Sequence, residues 1–429
     1  MHRMFLLLLL WILGTNGVFA AGFQLFNEGS ARVMGLSAAV TARTDMVEAA
    51  WYNPSATAFL KAPEVMAGLS LVYPTVKFEN DRGPNFDMVE KVHPLPFLYA
   101  AYPLNERLTL NLSLNVPYGL ATDWDGDWAG RYDAVYTSLF CYFITPSVAV
   151  KLTKRLSLAV GAQIVYADAE LRKSVAPTTT GVDVKTKLTG DDWDGGFLVA
   201  LTYRLREHTT LGLVYRSQVT LDLEGDAKYY NNAPGTVAVL PAPGGGFTFV
   251  SASQAFRNGD GEVFLDLPDT LSFGITTRYF RRWILSLDLM WTGWSTYEQL
   301  KYKFEHEPGN PTGAPGTVVQ PKDWDDVWAV RFGAEYLLND RWSLRFGYAF
   351  DPSPIDDRYR GPELPTNDRH FFNLGVGYRR GNLTMDAAYT YVHMEDAKPG
   401  TAPEANRSNL DGTYTGHAHI VGFDLSYRF

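Results

Sequence analysis

The chain has 429 residues, of which 14% are aromatic, and a formal net charge of −9. That acidity argues against a nucleic-acid partner, and a lone cysteine, Cys141, excludes an internal disulfide framework. Beyond the first residues no stretch is apolar for the roughly 20 residues that a membrane-spanning helix needs.

Residues 1–20 read as a signal peptide. His2 and Arg3 give a weakly basic start, Met4–Leu13 is an apolar run, and Val18-Phe19-Ala20 is a suitable cleavage end. The run is too short to cross a bilayer, so the pattern predicts export with Ala21 as the first mature residue. An exported, aromatic-rich chain of modest hydropathy has the profile of a bacterial outer-membrane β-barrel, whose strands hide their apolarity in every second residue.

Residues 21–63 have no strand pattern. Small residues dominate (Gly29, Ser30, Ala31, Gly35, Ser37, Ala38, Ala39), with brief helical spacing around Val33–Ala42 and Met46–Trp51. The stretch closes on Asn53-Pro54-Ser55, where proline removes a donor and biases Asn53 towards extended backbone. A compact segment of this kind ahead of a barrel predicts a plug in the lumen; a disordered tail would carry more charge and fewer apolar residues.

From residue 64 to 429 one unit repeats: strand, tight basic turn, strand, long polar loop. Six tight turns lie near Pro103–Arg107, Leu152–Arg155, Arg204–Thr209, Phe280–Arg282, Asn339–Arg341 and Arg379–Asn382. Seven longer connections alternate with them, near 77–92, 121–133, 173–187, 224–262, 304–323, 351–368 and 395–415. Thirteen connections make fourteen strands, so the expected fold is all-β, a fourteen-stranded antiparallel transmembrane barrel with short turns on the periplasmic side. In the last strand His419, Val421, Phe423, Leu425, Tyr427 and Phe429 share one face, suited to lipid, and Gly422, Asp424, Ser426 and Arg428 share the other.

The third strand runs from Leu108 to Val116 and then meets Pro117-Tyr118-Gly119. Proline cannot donate to a sheet ladder, and glycine weakens a strand or marks a bulge. Near Asn115–Gly119 the spacing fits a gap in the wall and also a strand ending at the membrane surface.

No catalytic constellation, cofactor motif or metal set emerges. The acidic clusters at Asp123, Asp125 and Asp127, at Asp191, Asp192 and Asp194, and at Asp323, Asp325 and Asp326 lack the later ligands of a calcium loop. The histidines lack zinc-like spacing. Pro241–Gly246 and Pro308–Gly316 read as loop tips. Trp124, Trp128 and Phe247 fit either an external apolar patch or loop packing.

Taken in order, several blocks resemble the FadL family of outer-membrane transporters for long-chain fatty acids, which has relatives that import toluene. They are the AGFQL start with Phe23, Asn53-Pro54-Ser55 (the family has Asn-Pro-Ala), Pro117–Thr122, Trp128–Tyr132, Pro146–Ala149, Tyr166–Leu171, Leu223–Asp226, Phe350–Pro354 and Asn367–Arg369. The resemblance covers essentially the whole mature chain. It implies that the N-terminal segment is a hatch, with Phe23, Asn53, Pro54 and Ser55 as its key positions. It also implies that the third strand kinks inward at Asn115, Pro117, Tyr118 and Gly119 to open a lateral exit. By approximate alignment it makes Arg172 and Lys322 the residues that would meet a ligand carboxylate, although both also fit solvated loop charges. The expected protein is a monomeric passive transporter, not an enzyme, without cofactor. Its partners would be a hydrophobic small molecule, outer-membrane lipid and lipopolysaccharide. An aromatic-hydrocarbon or alkane channel, and a structural or secretion-partner barrel, are the alternatives.

Overall fold

The computed structural model describes residues 22–241 and 246–429. The expected signal at 1–20, with Ala21, and the centre of the Pro241–Gly246 stretch lie outside the described residues.

Residues 64–429 form a closed antiparallel barrel of fourteen strands. They are β1 Glu64–Asn80, β2 His93–Pro103, β3 Leu108–Asp123, β4 Tyr136–Lys151, β5 Leu156–Ala176 and β6 Val184–Arg206. Four strands with internal breaks follow: β7 (Thr209–Arg216, Val219–Tyr230), β8 (Gly259–Leu267, Thr270–Thr277), β9 (Trp283–Thr292, Gln299–Phe304) and β10 (Gly316–Pro321, Val327–Leu337). The last are β11 Trp342–Asp351, β12 Arg369–Arg380, β13 Leu383–Ala397 and β14 Gly412–Arg428. Pairing of β1 with β14, from Glu64↔Arg428 to Asn80↔Gly412, closes the cylinder and leaves no free edge along that seam.

Period-two patterning decides the facing of each side chain. On β14, Phe423 and Leu425 are exposed while Asp424 and Ser426 are buried, as the alternation predicts. Leu110, Leu112, Val160, Phe197, Leu213, Phe346 and Leu374 continue the exposed apolar band round the wall. Near the short turns the pairs Trp283–Tyr336 and Trp342–Tyr378, with ring centroids 4.8 and 4.6 Å apart, form part of an interfacial girdle.

The lumen is filled by the segment from Gly22 onward, which is almost wholly buried up to Phe59. Two single-turn helices, α1 Ala31–Met34 and α2 Ala49–Tyr52, precede a 3₁₀ turn, Pro54–Phe59, that begins on the proline. The Ser30 hydroxyl caps α1 by accepting from the Val33 amide at 3.0 Å. Between the helices Ser37 and Ala38 adopt left-handed backbone, with φ of 50° and 56°. This turn lies against the wall at Gly347 and Gly333, where an added Cβ would stand 2.5 Å from Ser37 N and 2.7 Å from Leu36 O.

Charge then ties plug to wall. From the plug, Arg43 reaches Glu335 at 2.5 Å and Arg32 reaches it at 3.7 Å; on the wall Arg345 joins Glu335 at 2.9 Å to Asp386 at 2.6 Å, and within the plug Arg32 meets Asp45 at 3.0 Å. Asp424 and Asp288 accept backbone N–H bonds from Ala31 and Thr41 at 2.8 and 2.7 Å. Removing one member of such a buried network leaves its partner unpaired, which costs several kcal/mol.

Candidate functional site

Three features of the wall build the site: a broken ladder at β3, breaks in β9 and β10, and a cavity above the plug.

β3 pairs with β2 only as far as Leu114, opposite Leu98. Beyond it β2 is paired with β1 alone, and β3 keeps only β4. There the register shifts between Asn115↔Phe143 and Tyr118↔Cys141, so Val116 and Pro117 together oppose Tyr142. This is a β-bulge, and Pro117 sits where no ladder donor is needed. The N-terminal tip occupies the freed edge of β3. Leu25 N donates to Pro117 O at 2.7 Å, and Gly119 N donates to Phe23 O at 2.9 Å. Gln24 and Tyr118 form an antiparallel bridge between them.

Phe23 lies in an aromatic cage. Its ring centroid is 4.9 Å from that of Trp294, 5.8 Å from Trp324, and 6.1 Å from both Tyr297 and Tyr118. Three of the four cage residues come from the breaks in β9 and β10, where the chain leaves the ladder and turns inward. Those breaks carried no signal among the turn motifs, because each interrupts a strand without ending it.

Two cavities meet at Phe23. The larger, about 280 Å³, rises towards the long loops and is lined by leucines and aromatics, among them Leu139, Leu188, Leu223, Leu300 and Tyr302. The smaller, about 160 Å³, extends towards the β1–β2–β3 side past Val72, Leu95, Gly119 and Phe140. Phe23, Leu120 and Leu364 line both and form the partition.

The larger cavity also has a charged lining, Arg172, Lys173, Lys322 and Arg407 against Asp133 and Glu363. Lys322 is buried in the β10 break and contacts Glu363 at 2.5 Å. Arg172 also borders the cavity, but its exposed guanidinium stacks on Tyr136 at 4.8 Å and pairs with Glu170. Its neighbour Lys173 lines the same cavity, and its ammonium has no salt-bridge or hydrogen-bond partner among the described residues. One step along a strand changes the face, and of the two Arg172 is the more exposed.

At the other end of the plug, Asn53 Nδ2 donates to Thr41 O at 2.6 Å and to Thr202 Oγ1 at 3.1 Å. Its Oδ1 accepts from Ser55 Oγ at 2.6 Å, and Ser157 on β5 donates to Ser55 O at 2.7 Å. Asn53-Pro54-Ser55 thus pins the end of the plug to β5 and β6. Glu48, at the start of α2, is fully buried; desolvation, against the opposing charge of Arg32, pushes its carboxyl up to about 7.

The loop aromatics divide. Trp124 and Trp128 are buried and stacked at 4.4 Å in a cluster with Phe78 and Tyr414. Phe247 and Phe249 project from an outer hairpin at 73% and 66% exposure. Among the described residues no group of three or more His, Cys, Asp or Glu side chains is arranged to hold a metal ion.

Known proteins share this architecture. The long-chain fatty acid transport protein of Escherichia coli K12 is 25% identical, over 96% of this chain and 95% of its own. The 47 kDa outer membrane protein of Pasteurella multocida is 27% identical, over 96% and 94%. In fold, the crystal structure of a Pseudomonas aeruginosa FadL homologue superposes with a TM-score of 0.79 at 20% identity, covering 96% of this chain and 100% of that one. Matched from residue 11 to residue 429 by the model for the outer membrane protein transport family (OMPP1/FadL/TodX), the chain belongs to that family of outer-membrane transport proteins.

Proposed function

We propose that this protein carries long-chain fatty acids inward across the outer membrane, by passive transfer and lateral release. The observation behind this reading is the cavity of about 280 Å³, lined mostly by apolar side chains and also by Lys173 and Lys322. An alkyl chain gains ~0.8 kcal/mol for each CH₂ taken from water, so sixteen buried carbons contribute on the order of 12 kcal/mol before association costs. An ionised carboxylate needs a paired cation when it leaves water; Lys173 offers one directly, and Lys322 does so by exchanging Glu363 for the ligand. The name of the Escherichia coli relative supports the same substrate class.

In this reading the exposed Phe247 and Phe249 make the first contact, and the ligand descends to the lysine-lined cavity. Phe23 then withdraws from its cage, joining the two cavities. The chain slides out where β3 has left β2, so Asn115, Pro117, Tyr118 and Gly119 frame the exit. Asn53, Pro54 and Ser55 hold the far end of the hatch while its tip moves. Sideways release is the physically economical route, since the hatch fills the lumen below and an alkyl chain gains nothing from a wet periplasmic mouth.

A second reading, an aromatic-hydrocarbon channel, draws on the cage of Trp294, Tyr297 and Trp324, whose ring faces suit an uncharged arene. Uptake of labelled oleate and of toluene, in a strain lacking its own transporters, decides between the two. Oleate uptake lost in Lys173→Ala/Lys322→Ala supports the first; toluene uptake indifferent to both changes, with no oleate uptake, supports the second. Failure of both ligands, with a protein co-purifying, would instead favour a secretion-partner barrel.

A further inference from the structure

The short-turn end of the barrel, which faces the periplasm, is cationic on a chain whose net charge is −9. Beneath the hatch a cavity of about 570 Å³ opens at this end. Six cationic side chains line it, Lys61, Arg155, Arg204, Arg206, Arg278 and Arg428, against two carboxylates, Asp45 and Glu207. Two of the six are engaged: Arg278 with Asp45 at 2.6 Å and Arg428 with Glu64 at 2.7 Å. Lys61, Arg155, Arg204 and Arg206 have no carboxylate within salt-bridge distance among the described residues, and neither does Glu207 have a cation.

Arg204 is held in place. Its guanidinium lies 3.7 Å over the ring of Phe59, whose face also meets Lys151 Nζ at 5.6 Å. Stacking fixes the plane of a guanidinium and leaves its N–H edge free for a bidentate acceptor. In a cleft with low-dielectric walls, cations of one sign focus the field and raise the local concentration of anions. Five widely separated parts of the chain supply the six charges.

We propose that the periplasmic mouth is an anion site for a phosphate-type group, presented by an anionic phospholipid of the inner leaflet or by a free phosphate-bearing solute. Arg155, Arg204 and Arg206 provide the unused donors, and the Phe59–Leu60 side gives the site an apolar wall. Occupancy is coupled to the hatch through Arg278. Asp45 holds Arg278 and also Arg32 and Arg43, at 3.0 and 2.9 Å, so an anion that draws Arg278 away loosens one of the three ties on that carboxylate.

The test is calorimetric titration of the full-length protein in non-ionic detergent, first with inorganic phosphate and then with monomeric dihexanoyl-phosphatidylglycerol. Saturable binding is expected for phosphate, weakened at least tenfold in Arg204→Gln/Arg206→Gln and weakened again by added salt. Glu207→Gln, which removes the unpaired carboxylate, is expected to tighten binding, and decides the matter if the double variant does not fold. Phosphatidylglycerol binding tenfold tighter than phosphate identifies the lipid as the source, and equal affinity identifies the free solute. No saturable binding of either probe, or affinity unchanged in the variants that fold, would overturn the site.

Discussion

The Gly119 amide donates to the Phe23 carbonyl at 2.9 Å, so the tip of the hatch is itself a rung on the open edge of β3. The residue that partitions the two cavities and the freed edge of β3 are therefore joined by one backbone hydrogen bond. Whatever draws Phe23 from its aromatic cage also uncovers the β3 edge.

Gly119→Val tests that coupling. A Cβ at Gly119 would stand 2.7 Å from Leu25 Cδ1, so the Leu25 side chain must turn away, and the two methyl groups of valine crowd the tip further. A cysteine placed at Gln24 should then react with a soluble maleimide at least several-fold faster than in the parent, in a barrel that is still inserted. Pro117→Val, at the bulge, should leave the labelling rate unchanged. Equal rates in the Gly119 variant would break the link between tip and strand.

The lysines that line the cavity should discriminate by charge. Charge-assisted hydrogen bonds contribute about 1.5–3 kcal/mol, so Lys173→Ala should weaken oleate binding roughly tenfold or more and spare toluene; Lys322→Ala, which also strands Glu363 beside the ligand carboxylate, should weaken it at least as much. Arg172→Ala should change oleate affinity about twofold at most, since its guanidinium is engaged with Tyr136 and Glu170. Equilibrium binding in detergent measures all three. A larger loss in the Arg172 variant than in the Lys173 variant would reverse the assignment.

Asn53→Ala removes bonds to Thr41 and Thr202 and leaves buried acceptors unpaired, costing about 1–3 kcal/mol of hatch docking. Faster amide exchange across 40–60 and reduced uptake, at equal surface level, are expected. Pro54→Ala acts mainly through the undocked chain, by roughly 0.4–1 kcal/mol, and should have the smaller effect on both readouts. The reverse order would mean that the proline, not the amide, holds the segment.

Glu48 makes hatch docking depend on pH. Burial raises its carboxyl to about 7, above an ordinary value of 4.5 that applies when the segment is released. Around it stand Arg32, which opposes the shift, Asp386 and Glu64, which add to it, and the Ser30 hydroxyl at 3.3 Å. A group raised in the docked state binds its proton there more tightly. Its contribution is thus complete below about pH 4.5 and lost as pH rises through about 7. Exchange of the 30–50 amides should accelerate between pH 5.5 and 8 beyond the intrinsic rate change, and Glu48→Gln should remove the excess. An excess that persists in Glu48→Gln would transfer the effect to another carboxyl.

Local periodicity carried the barrel. Facing along β14, the turn positions and the strand count follow from a side-chain period of two and from basic tight turns, both readable within ten residues. Pro117 likewise announces a ladder defect by its own chemistry. Facing at Arg172 and Lys173 is different, because a one-residue uncertainty in register inverts the answer, and only the paired strands fix it. The partner on the free edge of β3 lies more than ninety positions away in the sequence, at Phe23–Leu25. The cage round Phe23 and the cationic cavity at the short-turn end also join residues scattered along the chain, whose proximity no local pattern encodes. Those meetings depend on barrel closure and on how the plug fills the lumen, so the tertiary structure alone decided them.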